Sequence, residues 1–134
     1  MVSGGCMCGA VRYEVEGDPV YHALCHCDDC RASSGAPMVA WYAVKADQLD
    51  VKSGALSQYE GNPSSQRQFC PTCGTGLFFR NEATLPGLVD IQSATFDNPA
   101  AHTPQIQVQC ADRVAWMAQV AEMPEFERYP GPTP

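Results

Sequence analysis

Hydrophobic and polar positions alternate along Ala10-Val11-Arg12-Tyr13-Glu14-Val15-Glu16 and stop at Gly17-Asp18-Pro19, the pattern of a half-buried strand followed by a turn. Tyr21 to Cys25 leads into a cysteine triplet. From Pro37 to Val44 the chain is apolar, rich in aromatic and β-branched side chains and bounded by turn residues, which predicts a buried strand. Leu49 to Lys52 and Leu56 to Glu60 predict a hairpin pivoting near Gly54. Gln66 to Phe69 and Gly76 to Arg80 predict another, with Cys70-Pro71-Thr72-Cys73-Gly74 at its tip. Gly87 to Phe96 and Gln105 to Cys110 complete about eight strands. Helical pattern is confined to a turn or two at Asp28 to Ser34 and to Asp112 to Ala121, where Val114, Trp116 and Val120 read equally well as irregular packing residues. The tail from Glu122 to Pro134 holds four of the eleven prolines and is expected to run extended over the surface. The expected architecture is mainly β with little helix, one domain over residues 1–134 with its core at about 2–127.

Length and composition narrow the function classes. A chain of 134 residues with 45% hydrophobic content lies in the range of one core and buries enough apolar surface to fold without covalent staples. No window approaches the roughly 18 to 20 apolar residues that span a bilayer, so no membrane partner is expected. Fifteen acidic residues against eight basic ones give a formal charge of −7, and the basic residues are scattered singly from Arg12 to Arg128. That distribution argues against a surface that tracks nucleic-acid phosphates.

Cysteine changes the picture most. Seven of the eight fall into three clusters, Cys6-Met7-Cys8, Cys25-His26-Cys27-Asp28-Asp29-Cys30 and Cys70-Pro71-Thr72-Cys73. Four disulfides are arithmetically allowed. The opening Met-Val-Ser-Gly-Gly lacks the basic and apolar regions of a secretory signal, so a reducing, cytoplasmic setting and metal binding are expected instead. Zinc suits this spacing, since thiolates close in sequence wrap one tetrahedral ion at about 2.3 Å from each sulfur. Four cysteines close one site and three leave a second with an open position. Closed sites build structure and open ones do chemistry. Spacing alone permits a rival grouping of Cys25, Cys27, Cys70 and Cys73 around one ion.

The runs Gly5-Cys6-Met7-Cys8-Gly9-Ala10-Val11-Arg12-Tyr13, Cys25-His26-Cys27-Asp28-Asp29-Cys30-Arg31 with Ser34-Gly35-Ala36-Pro37, and Arg67-Gln68-Phe69-Cys70-Pro71-Thr72-Cys73-Gly74 with Leu77 resemble the glutathione-dependent formaldehyde-activating enzyme family, also called the CENP-V/GFA domain family. Asp97-Asn98-Pro99, the segment His102 to Val108, Trp116 and Pro124-Glu125-Phe126-Glu127 extend the likeness over nearly the whole chain. The resemblance implies an Mss4-like zinc-binding β fold and two zinc ions per chain. It implies that Cys6, Cys8, Cys70 and Cys73 hold a structural ion and that Cys25, Cys27 and Cys30 hold a catalytic one. The implied activity is that of a carbon-sulfur lyase condensing glutathione with formaldehyde to S-(hydroxymethyl)glutathione, with a small-molecule thiol and aldehyde as partners.

The residues of the open cluster give that activity a physical form. Three thiolates leave zinc with a net charge of −1, a poor activator of water that still accepts a fourth thiolate, and a coordinated thiol is deprotonated. His26, between two ligands, points away from the ion they share. It is a candidate for proton transfer near neutral pH, against the alternative of a histidine packed under the knuckle. Arg31 is the candidate anchor for a glutathione carboxylate, with Arg67 and Arg80 behind it. Asp28 and Asp29 are candidates to orient ligands or to cap a helix. Trp41 and Trp116 read as core or pocket wall, and Cys110 as a small hydrophobe. The competing function class is a noncatalytic zinc-stabilised binding module, which a fourth protein ligand on the second ion would favour.

Overall fold

A computed structural model describes residues 1–61 and 63–131 of the chain. Among them ten strands form two sheets. The smaller sheet joins β1 (Val2–Gly5), β2 (Arg12–Val15) and β5 (Leu49–Ser53) in the order β1-β2-β5. The larger joins β3 (Tyr21–Cys25), β4 (Val39–Lys45), β6 (Ser57–Glu60), β7 (Ser65–Phe69), β8 (Gly76–Asn81), β9 (Leu88–Gln92) and β10 (Ile106–Val108). Its order is β10-β3-β4-β9-β8-β7-β6, antiparallel except for the β10–β3 pair. One seven-residue helix, α1 (Asp28–Ser34), follows β3. The mainly β, helix-poor expectation therefore holds. No described helix is long and apolar enough to cross a membrane.

The sheets pack face to face because their inward positions are apolar. In β2 the alternation buries Tyr13 and Val15 and turns Arg12 and Glu14 outward. Opposite them lie Tyr42 and Val44 of β4, Phe78 of β8, and Val89 and Ile91 of β9. Burying each such aliphatic or aromatic side chain contributes about 1.5–3 kcal/mol, which makes this layer the main source of stability. The other face of the large sheet carries a second, smaller cluster of Cys25, Cys30, Val39 and Trp41, with Phe79 and Val108 against it. The strands thus place a core on one side and a chemically distinct surface on the other.

Three elements depart from the pattern reading. β1 was not anticipated, since Val-Ser-Gly-Gly carries little strand propensity. It forms because Gly4 lets the chain lie against Tyr13: a Cβ there would fall 2.4 Å from the phenolic oxygen, which is hydrogen bonded to Thr95 Oγ1 at 2.7 Å. The segments around Gly54 do not form a hairpin. β5 pairs with β2 while β6 pairs with β7, and Gly54 (φ +88°) crosses between the sheets where a Cβ would meet the Ala10 carbonyl at 2.4 Å. The segment from Asp112 to Ala121, read either as helix or as irregular packing, lies in 3-10 turns at Cys110–Asp112 and Ala115–Glu122 rather than in an α-helix. Extended backbone at Arg113 and Val114 separates them. Beyond Glu122 the described chain is exposed and irregular, and residues 132–134 of the tail reading lie outside the described residues.

Candidate metal centres and the adjoining cavity

Two tight turns meet at the first centre. After β1 the chain reverses through Cys6 N–H to Val11 O (3.1 Å) and Gly9 N–H to Cys6 O (3.1 Å). Between β7 and β8 it reverses through Gly74 N–H to Cys70 O (2.8 Å) and Cys70 N–H to Thr75 O (3.0 Å). Thr75 ties the turns together, its hydroxyl accepting from Met7 N–H at 3.1 Å and lying 3.2 Å from Cys73 Sγ. The sulfurs of Cys6, Cys8, Cys70 and Cys73 all lie within 4.8 Å of one another. Cys6 and Cys8 are 3.6 Å apart and Cys8 and Cys70 3.8 Å, close to the edge of about 3.8 Å of a tetrahedron with arms of about 2.3 Å. They are not disulfides, and all eight cysteines are free thiols. Val11 N–H donates to Cys6 Sγ at 3.2 Å, and the Thr75 hydroxyl draws the Cys73 thiol down to about 5. Four sulfurs at tetrahedral spacing, with amide and hydroxyl donors on two of them, fit a tetrahedral thiolate metal. The rival grouping with Cys25 and Cys27 does not occur.

The second grouping holds three sulfurs. Cys25 ends β3, Cys27 caps α1 with its sulfur accepting from Cys30 N–H at 3.2 Å, and Cys30 lies in the first turn. All three are mutually within 4.8 Å, and among the described residues no His, Asp or Glu joins them. Trp41 Nε1–H donates to Cys30 Sγ at 3.3 Å. Hydrogen bonding from Cys25 pulls the Cys30 thiol down to about 5, with Cys27 and Trp41 adding to it. The Cys30 thiolate in turn drives Cys25 far above the ordinary thiol range. Cys25 and Cys27 therefore retain protons that a cation would displace. The donor set fits a thiophilic divalent ion with a position to spare.

That cluster opens onto a cavity of about 420 Å³ lined also by Tyr21, Asp29, Trp41, Arg67, Phe79, Asn81 and Asp90. Arg67 projects from β7, its guanidinium 4.8 Å from the centroid of the Phe79 ring and its Nη1 donating to Ser33 Oγ at 3.1 Å. Among the described residues it is the one Lys or Arg on this wall, and it also borders two neighbouring cavities of about 500 and 430 Å³. Asp90 is buried in β9 and accepts from the Tyr21 hydroxyl at 2.8 and 3.0 Å.

Burial raises the Asp90 carboxyl from its ordinary 3.8 to about 6. Between those values the native chain holds a proton that the unfolded chain has released, so stability falls as pH rises. The contribution of the neutral carboxyl is complete below about pH 4 and lost through pH 6. Urea unfolding from pH 3 to 8 is expected to show wild type losing about 3 kcal/mol relative to Asp90→Asn, from about 1.4 kcal/mol per pKa unit. A pH-independent difference between the two proteins would contradict the buried-acid assignment.

The remaining candidates are dispersed. His26 is 1% exposed and does not line the cavity. Its Nε2 lies 2.8 Å from Gln107 Oε1 on β10, and its Nδ1 is buried without a partner. The alternation at the end of β3 sends it to the face opposite its cysteine neighbours. Arg31 is ion-paired with Asp28 and borders a separate cavity with Val114 and Trp116, whereas Arg67 lines the cavity of the three sulfurs. Arg80 reaches Gln68 Oε1 at 3.4 Å. Asp29 lines the cavity, and Cys110 is exposed and outside both clusters. Tyr21 and Asp90 were missed by the sequence reading, although an acid at the centre of Leu88-Val89-Asp90-Ile91-Gln92 was a visible signal.

Comparison with known proteins places these features in context. Residues 1–112 match the family described as glutathione-dependent formaldehyde-activating enzyme. An uncharacterized lyase of Schizosaccharomyces pombe is 26% identical over 76 residues, covering 57% of this chain and 55% of that protein. The match thus spans about half the length of that curated relative. A crystal structure of a Rhodobacter sphaeroides protein superposes with a TM-score of 0.63 at 26% identity, covering 79% of this chain and 99% of the other.

Proposed function

The chain belongs to the glutathione-dependent formaldehyde-activating enzyme family, and from that premise we propose that it is a zinc-dependent carbon-sulfur lyase joining a glutathione-like thiol to a small aldehyde such as formaldehyde, and reversing that addition. The observation that carries the reading is the three-sulfur cluster facing a cavity with no fourth ligand among the described residues. Cys6, Cys8, Cys70 and Cys73 hold one structural zinc and Cys25, Cys27 and Cys30 a second, in an Mss4-like single domain of the reducing cytoplasm. A zinc ion with an open position supplies a site at which a thiol ionises near neutral pH.

The chain's own groups do the rest. Trp41 fixes Cys30 through its indole N–H, and Phe79 and Trp41 form an apolar wall that limits water around the reacting carbon. Arg67 stands where the cavity widens toward its neighbours and receives a carboxylate of the thiol substrate by charge-assisted hydrogen bonds. Holding thiol and aldehyde together removes much of the entropic barrier to their encounter. Replacing Arg67 by methionine is expected to raise KM for glutathione about 10- to 100-fold, the scale of a charged hydrogen bond of about 1.5–3 kcal/mol. KM for the uncharged thiol 2-mercaptoethanol should hardly move. Equal losses for both thiols would remove Arg67 from substrate recognition.

The reading is tested by zinc quantification together with two-dimensional NMR exchange between formaldehyde, glutathione and their adduct. Because the adduct also forms spontaneously, the rate is compared with a protein-free blank. Two zinc ions per chain and exchange faster than the blank are expected. A blank rate with both ions bound would turn the assignment toward a noncatalytic zinc-stabilised binding module.

A further inference from the structure

The large sheet buries an acid that the chemistry above leaves unused. Asp90 is 4% exposed between Val89 and Ile91, a placement that is costly for a charge without a partner. Its partner is a phenol. Tyr21 pairs with Ala43 and Ala43 pairs with Asp90 across the sheet, so Tyr21 and Asp90 share a face two strands apart, about 9–10 Å at the usual spacing. Ala43 between them is fully buried and small, which lets the Tyr21 side chain pass over it to reach both carboxylate oxygens. Phe79 flanks Asp90 on the other side.

Both groups line the cavity of the three-cysteine cluster. The titratable and charged groups around that cavity are Tyr21 and Cys25 from β3, Cys27, Asp29 and Cys30 from the α1 segment, and Arg67 from β7. Tyr21 alone is hydrogen bonded to the acid among the described residues. Burial, with a smaller contribution from the Cys30 charge, favours the protonated carboxyl, so Asp90 exchanges its proton near pH 6 rather than near pH 4.

We propose that Tyr21 and Asp90 form the proton carrier of this site: Asp90 accepts the proton that a thiol releases on entering the cysteine cluster, and the pair returns it to the aldehyde oxygen as the carbon-sulfur bond forms. The inference rests on the thiol-aldehyde reading of the cavity. In the forward direction the S–H bond breaks and its proton goes to the Asp90 carboxylate. The sulfur electron pair then forms the S–C bond, and the carbonyl π pair moves onto oxygen. Tyr21 gives its hydroxyl proton to that oxygen as Asp90 passes the stored proton to Tyr21. The product carries a hydroxymethyl group, Asp90 is again ionised, and no oxidant or net proton is consumed. Cleavage runs the same transfers backward.

The test is calorimetric titration of the zinc-loaded protein with glutathione at pH 7 in two buffers of different ionisation enthalpy, which counts protons released independently of turnover. Wild type is expected to release clearly less than one proton per thiol bound, and Asp90→Asn close to one. The NMR exchange rate should fall about 100-fold in Asp90→Asn and in Tyr21→Phe, the low end of general acid–base effects, with zinc content unchanged. Tyr21→Phe keeps the carboxylate and covers the case in which Asp90→Asn fails to fold. One proton released by both wild type and Asp90→Asn, or undiminished exchange in Tyr21→Phe, overturns the carrier. Absence of any glutathione binding to the zinc-loaded wild type overturns the thiol reading itself, and the carrier with it.

Discussion

Replacing Cys70 by serine is expected to leave the protein without a cooperative thermal transition at 25 °C and with its zinc lost from both centres. A closed four-thiolate site in a small domain contributes on the order of 10 to 16 kcal/mol of apparent binding free energy, while a whole domain is stable by about 5 to 15 kcal/mol. The metal term therefore equals the entire margin. Geometry makes Cys70 the most sensitive of the four, because it is fully buried within the main core beside Leu77 and Phe78. A serine hydroxyl at that place would be buried among apolar groups in addition to losing a ligand. Cys6 and Cys70 also close turns far apart in the sequence, so an ion held between them would join β1 to the β7–β8 hairpin. Circular dichroism melting, with metal content measured on the same sample, checks the expectation. A chelator should reproduce the variant in wild type, whereas Cys110→Ser, exposed and outside both clusters, should melt as wild type does. A folded Cys70→Ser protein melting within a few degrees of wild type would show that the core alone suffices.

What could be read from the chain and what could not divide along a physical line. β2 was legible because one of its faces meets the core and the other water, so Arg12, Tyr13, Glu14 and Val15 alternate in kind. β4 was legible because its central residues, Trp41 to Val44, are all buried. β1 was not, since its place depends on Tyr13 and Thr95 packing against a glycine, a contact that no local pattern records. Gly54 was rightly marked as a break, yet a break does not say whether the next strand returns to its neighbour or crosses to another sheet.

The site shows the same limit. The clusters themselves were plain in the spacing, but their grouping required knowing that the turn after β1 lies on the β7–β8 turn. His26 and Arg31 drew notice because they adjoin the cysteines in sequence, and alternation and helix geometry carry both away from the cavity. Tyr21 and Asp90 are 69 residues apart and meet only through the register of three strands. Sequence adjacency found the cysteine clusters, and sheet register supplied the hydrogen-bonded Tyr21–Asp90 pair beside one of them.

Cys27→Ser is expected to bring formaldehyde–glutathione exchange down to the protein-free blank while leaving the fold intact, with one zinc ion per chain in place of two. The residue holds two roles that this substitution separates. As the cap of α1, its sulfur accepts the Cys30 amide at 3.2 Å, and serine is among the preferred capping residues. The helix should therefore keep its first turn, and the melting temperature should shift by only a few degrees. As one of three sulfurs within 4.8 Å, its thiolate has no equal in a serine hydroxyl, which remains protonated near neutral pH and binds zinc weakly. The second cluster also lies on the far side of the large sheet from the main core, so its ion contributes little to the layer that stabilises the fold. The two centres should consequently fail in different ways, Cys70→Ser through unfolding and Cys27→Ser through chemistry in a folded protein. Melting curves, zinc content and exchange rates on the two variants separate these outcomes, and undiminished exchange in folded Cys27→Ser would detach the three-cysteine cluster from the reaction.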